Sequence, residues 1–127
     1  MAIVREKKHI LIVEDDQTLF SLLKMKLTKQ GFVVDEANDA ETAYQTLRAM
    51  RCDLILLDIL LSGADGYTIL KQLKGSEQWK HIPIIVLSNL GSLEDKKKAL
   101  QLGAYDFLIK AEHSLESVVE KIQAALQ

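Results

Sequence analysis

Three carboxylates, a hydroxyl and an ammonium stand out in this 127-residue chain, because each comes at the end of a short apolar run. Glu14 and Asp15 follow HILIV (9–13), Asp58 follows DLILL (53–57), Ser88 follows PIIVL (83–87) and Lys110 follows DFLI (106–109). If the runs are neighbouring parallel strands, all five side chains gather at one sheet edge. Clustered carboxylates repel one another, and a bound cation removes that repulsion. Hard oxygen donors with room left for water and phosphate favour Mg2+. A carboxylate between a divalent cation and an ammonium is a poor base but a usable nucleophile toward phosphorus, and attack gives an aspartyl phosphate. The cation and Lys110 would stabilise charge on the transferred group, and Ser88 would hydrogen-bond one of its oxygens. A carboxylate nucleophile needs no general base, so a phosphoryl acceptor is expected rather than a turnover enzyme.

Taken singly, each residue has an ordinary explanation. An Asp, Ser or Lys after a strand usually serves a turn or faces solvent. Their joint placement carries the reading. Asp16, the next acid along, is assigned to capping a helix and not to the cation.

The elements that must position these residues alternate strand and helix five times. Strands are predicted at 9–13, 32–36, 53–57, 83–87 and 106–109. Helix 1 is capped by Asp16, runs to about Gln30 and turns Leu19, Phe20, Leu23 and Leu27 inward; Gly31 ends it. Helix 2 starts at Asn38 or Asp39 and buries Ala43, Tyr44 and Leu47. Helix 3 starts at Asp65, with Ile69, Leu70 and Leu73 inward. Helix 4 runs from Ser92 to Gly103. Ser114 caps helix 5, whose stripe is Leu115, Val118, Val119, Ile122 and Leu126. Strands 1, 3 and 4 are continuously apolar, as parallel strands covered on both faces are. Strand 2 is mixed and suits an edge. Right-handed crossovers then favour an α/β fold: a three-layer, doubly wound, five-stranded parallel sheet of order 2-1-3-4-5, flavodoxin-like, with its ligand site beyond the carboxyl ends of the strands.

Composition narrows the classes further. Hydrophobic residues make up 48% and charged residues 27%, with a net charge of -2. Nothing in that balance draws the chain to nucleic acid or an anionic membrane. Cys52 is the one cysteine, so no intrachain disulfide or cysteine-based zinc site is available. No apolar run is long enough to span a bilayer, and Met1 to Lys8 lack a signal-peptide core. We expect a single domain over 1–127, cytoplasmic and without a membrane partner. His9, His81 and His113 are scattered and suggest no metal site. Trp79 is expected to lid the core. Lys96, Lys97 and Lys98 read as a solvated helix face with Glu94 supporting Lys98 at i,i+4, more readily than as a docking patch.

Over nearly its full length the chain resembles the receiver domain of two-component response regulators, of the single-domain, chemotaxis-regulator-like kind. ILIVEDD resembles the family's acidic motif, LILLDILLSGADG its phosphoacceptor loop, and PIIVLSN and GAYDFLIK its hydroxyl and lysine motifs. The intervals of 30 residues from Asp58 to Ser88 and 22 from Ser88 to Lys110 also fit the family. The resemblance implies that Asp58 accepts a phosphoryl group from the phosphohistidine of a sensor histidine kinase or phosphotransfer protein. It implies that Asp15, Asp58 and the Leu60 carbonyl ligate Mg2+, with Glu14 acting through a water. Ser88 and Phe107 would form the switch pair, and the face of helix 4, strand 5 and helix 5 would engage a downstream protein.

Departures from the family are specific. Ser62 stands where a proline is frequent, Asn89 where a small residue is common, and Ala111 where a proline usually follows the lysine through a cis bond. Leu60 and Leu90 flank the site where hydrolysis rates are tuned; neither can orient water, so a long-lived phosphoryl group is expected. Lys96, Asp106 and Glu116 fit part of a dimer's charge pattern, but Glu120 does not, and that dimer is not predicted. With nothing after helix 5, no effector domain and no direct DNA binding are expected, and a stand-alone receiver is favoured over a piece of a longer protein. Two other classes remain: a phosphorylation-independent interaction module on the same fold, and a flavodoxin-like flavin carrier or phosphatase. The acidic run after strand 1 would repel a flavin phosphate, and no second acid-base group serves a phosphatase.

Overall fold

A computed structural model describes residues 6–61, 64–89 and 91–127. Ser62 and Leu90, singled out above, lie outside the described residues, as does most of the Met1 to Lys8 segment. Five parallel strands form one sheet: β1 (His9–Val13), β2 (Val33–Ala37), β3 (Leu54–Leu57), β4 (Ile84–Ser88) and β5 (Asp106–Ile109). Their order is β2-β1-β3-β4-β5, the predicted doubly wound arrangement. Five helices connect and flank them: α1 (Gln17–Lys29), α2 (Ala40–Ala49), α3 (Gly66–Lys74), α4 (Leu93–Gln101) and α5 (Leu115–Ala125).

Each helix starts where its capping residue requires. Asp16, Asp39, Asp65, Ser92 and Ser114 are the N-caps, and each side chain accepts a backbone N–H from the first turn. At the end of α1, Gly31 takes φ +93°, and the Phe32 N–H closes on the Leu27 carbonyl at 3.1 Å. That bond uses the Phe32 donor, so the β2 ladder begins one residue later than predicted, with Val33 donating to the Lys8 carbonyl. Pro83 sits just before β4, where it lacks a donor but its carbonyl accepts the Ile55 N–H.

Successive side chains of a strand face opposite sides, so the sheet splits the core in two. Ile10, Ile12, Leu54, Leu56, Ile85 and Leu87 pack with Phe20, Leu23 and Leu27 of α1 and Val118, Val119 and Ile122 of α5. Leu11, Val13, Ile55, Leu57, Ile84 and Val86 face the other side, with Ala43 and Leu47 of α2, Ile69, Leu70 and Leu73 of α3 and Ala99 of α4. Trp79 does lid this second layer, stacked on Tyr44 at a ring separation of 6.1 Å. Ala99 is the single buried residue of α4, so that helix has the thinnest apolar anchor.

Among the described residues no helix is long and apolar enough to cross a membrane. One local expectation is corrected. Lys98 does not lean on Glu94; its ammonium lies 4.1 Å from the centre of the Tyr67 ring. Glu116 pairs with Lys26 of α1 at 2.5 Å on the exposed surface.

Candidate phosphoacceptor and metal site

The carboxyl ends of β1, β3, β4 and β5 bring the predicted residues together. Two backbone bonds carry the ladder past the strand ends: Glu14 N donates to the Ala37 carbonyl at 2.9 Å, and Asp58 N to the Val13 carbonyl at 3.0 Å. They fix the first residues of both loops as firmly as if they were strand. Asp58 is 5% exposed, Glu14 3% and Ser88 0%, the three buried polar residues found among those described. Buried polar groups need partners. Lys110 Nζ supplies two, donating to Glu14 Oε1 at 2.7 Å and to Asp58 Oδ2 at 3.0 Å. The other Asp58 oxygen, Oδ1, accepts the Leu60 N–H at 2.9 Å. Asp58 is thus oriented through both oxygens.

Carboxylate oxygens of Glu14, Asp15 and Asp58 lie within 4.8 Å of one another. Asp16 stands apart: its carboxylate caps α1 by accepting the Leu19 N–H at 3.1 Å. Burial, together with a hydrogen bond toward Asp58, pushes the Glu14 carboxyl up from 4.5 to about 8, although Lys110 opposes the rise. Burial alone would lower Lys110, but its hydrogen bonds to Glu14 and Asp58 raise it, so the ammonium stays charged. The cluster therefore gathers three carboxylates against one lysine. A small cation with hard-ligand preference fits such a donor set. The histidines join no such cluster among the described residues.

Glycine is required beside the site at one position. The Gly66 N–H donates to the Ile59 carbonyl at 3.0 Å, and a Cβ on Gly66 would sit 2.4 Å from Ile59 Cα. This approach closes the loop that carries Asp58, together with a short antiparallel pairing of Leu60–Leu61 with Ala64–Asp65. On the far side, Ser88 pairs with Ile109 and Val86 with Phe107 across β4 and β5. Phe107 is 4% exposed, already turned inward, and forms part of the wall of a cavity of about 260 Å3 between α4 and β5. The Lys110–Ala111 bond is not cis, and Lys110–Glu112 form a short 3-10 turn.

Sequence reasoning named Leu60 for its carbonyl and missed its N–H, which orients Asp58. The signal was available, since an aspartate commonly accepts the N–H two residues on. It also missed Tyr67, whose hydroxyl lies 3.2 Å from Asp95 Oδ1. That partner is 28 residues away and leaves no local signature.

Fold and site together define a doubly wound α/β domain with a buried carboxylate–lysine cluster at the carboxyl edge of its sheet. The response regulator receiver domain family matches residues 10–123, and the chain belongs to that family. It is 41% identical over 101 residues to the probable transcriptional regulatory protein SilR of Salmonella typhimurium, covering 80% of this chain and 43% of SilR. It is 31% identical to the DNA-binding dual master transcriptional regulator RpaA of Synechocystis, over 94% of this chain and 49% of RpaA. The BeF3-activated N-terminal receiver domain of Klebsiella pneumoniae RstA superposes with a TM-score of 0.85 at 30% identity, over 94% of this chain and 99% of that one.

The chain thus spans less than half the length of these curated relatives. This corrects the expectation of an output confined to protein partners without direct DNA binding. One of these relatives is itself named a DNA-binding protein, and both are named as transcriptional regulators. The physical reason is that the net charge of -2 describes the receiver fold alone. Charge on one domain does not report what the proteins carrying that domain contact.

Proposed function

We propose that this chain is a Mg2+-dependent phosphoryl acceptor, taking a phosphoryl group on Asp58 from the phosphohistidine of a sensor histidine kinase or phosphotransfer protein in the cytoplasm. The observation that supports it most is Lys110 donating to Glu14 and Asp58 together, beside Asp15, at a buried sheet edge. An Asp58 oxygen forms the new O–P bond, the P–N bond breaks, and its electron pair returns to the imidazole, which takes up a proton. Glu14, Asp15, Asp58 and the Leu60 carbonyl are the groups that would hold Mg2+. When bound, the ion supplies positive charge against the phosphoryl oxygens. Lys110 supplies fixed positive charge beside Asp58, and the Leu60 N–H holds Asp58 in place.

Ser88 is the hydroxyl that accompanies the phosphoryl group, and Phe107, already buried on the neighbouring strand, is its switch partner. The surface of α4 and β5 changes in consequence. The domain is a signalling acceptor and not a turnover enzyme. Leu60, 52% exposed beside Asp58, offers an attacking water no polar partner from its side chain, which favours a persistent phosphoryl group.

Incubation with Mg2+ and acetyl phosphate, followed by intact-mass measurement, tests this reading. One added phosphoryl group is expected, absent in Asp58→Ala and absent with EDTA. An adduct that persists in Asp58→Ala overturns the assignment of Asp58. No adduct from acetyl phosphate or from any phosphohistidine donor overturns the acceptor role itself.

A further inference from the structure

The weakly anchored helix α4 is held to α3 by a polar contact outside the phosphoacceptor site. Tyr67, in the first turn of α3, is buried, and its hydroxyl lies 3.2 Å from Asp95 Oδ1 and 3.3 Å from the Asp95 carbonyl. The same aspartate is fixed from within α4: Ser92 Oγ donates to Asp95 Oδ2 at 2.6 Å and accepts the Asp95 N–H. Lys98, one turn further along, places its ammonium over the Tyr67 ring. Ala99 is the only other residue that anchors α4 in the core.

Both ends of this contact lead to the site. Tyr67 follows Gly66, whose backbone is locked on the Asp58–Ile59 peptide. Asp95 lies seven residues after Ser88, at the other end of the short connection from β4 to α4. Ser88 and Asp95 are thus close in sequence, and the Tyr67 contact ties the α4 end of that stretch to α3.

We propose that Tyr67 and Asp95 form a latch that holds α4 against α3 in the unphosphorylated protein and must open for the Ser88 connection to move. Tyr67 is a positioning residue here; it touches neither phosphoryl donor nor acceptor atom. The latched state and the phosphoryl-engaged state are alternatives, so whatever weakens one favours the other. The gating half of the proposal rests on the acceptor reading above; the latch itself does not.

Tyr67→Phe keeps the buried ring under Lys98 and removes the hydroxyl alone. Amide hydrogen exchange on the full chain, without phosphodonor, reads the latch directly. Loss of a hydrogen bond to a charged group is expected to speed exchange of 93–101 roughly tenfold, with α1 and α2 unchanged. In an Asp95→Asn background the same substitution should add less, since the two residues share one contact. With Mg2+ and acetyl phosphate, Tyr67→Phe should take up phosphoryl several-fold faster than the wild type. Unchanged exchange in α4, or an equal rise in every element, overturns the latch. Faster α4 exchange with an unchanged phosphorylation rate overturns the gating. If the wild type takes no phosphoryl group from acetyl phosphate or from any phosphohistidine donor, the acceptor reading falls and the gating with it, while the exchange result still decides the latch.

Discussion

Replacing Glu14 by glutamine should flatten the pH dependence of stability in the absence of divalent cations. Glu14 titrates near 4.5 when unfolded and near 8 in the folded chain, where burial and Asp58 favour its protonated form. The folded state therefore binds the extra proton between those values, and its stability falls as pH rises through that window. The full interval corresponds to roughly 5 kcal/mol at 1.36 kcal/mol per pH unit. Linkage places about 3 kcal/mol of it between pH 5.5 and 8.5. Lys110 is raised above its ordinary value, so its contribution is lost only at higher pH and stays constant across this range. Glutamine keeps the size and the neutral polarity but has no proton to lose. Urea unfolding of wild type and Glu14→Gln at pH 5.5, 7 and 8.5 with EDTA gives the test. The difference in stability, wild type minus variant, should fall by about 3 kcal/mol from the lowest to the highest pH. Parallel profiles would refute the reasoning, because they would mean that Glu14 is ionised in the folded chain throughout.

The same proton should compete with the metal, so the apparent Mg2+ affinity should weaken about tenfold per pH unit below pH 8 and level off above it, measured by calorimetry in buffers of matched ionic strength. Lys110→Ala should lower the rate of phosphorylation by acetyl phosphate by roughly two to three orders of magnitude, while Mg2+ binding strengthens because a nearby positive charge is gone. Gly66→Ala should destabilise by about 3 kcal/mol or more in the same urea assay, since the new methyl meets backbone rather than a movable side chain.

How far the fold could be read in advance follows from the range of the forces involved. Helix starts depend on one side chain and the next turn, and Asp16, Asp65, Ser92 and Ser114 all cap where they were expected. The continuously apolar runs identified buried strands, and with them the edge where Glu14, Asp58, Ser88 and Lys110 collect. What escaped depended on neighbours distant in sequence. The choice of Lys98 for Tyr67 over Glu94, and of Glu116 for Lys26, is made by packing between elements. The start of β2 depended on a single N–H that the end of α1 had already claimed. The elevated Glu14 carboxyl was equally out of reach, because desolvation is a property of the assembled edge.

One outer strand deserves its place for another reason. Among the described residues β2 bonds to β1 on one side only, so its far side is an edge of the sheet. Such a rim can template a strand from another molecule, and stacked copies would grow into ordered aggregates. Its sequence, VVDEA, puts a carboxylate on each face of that rim, Asp35 on one and Glu36 on the other. A second copy approaching edge to edge would bring its own pair against them. The mixed composition that marked strand 2 as an edge thus also acts as a guard against edge-to-edge pairing.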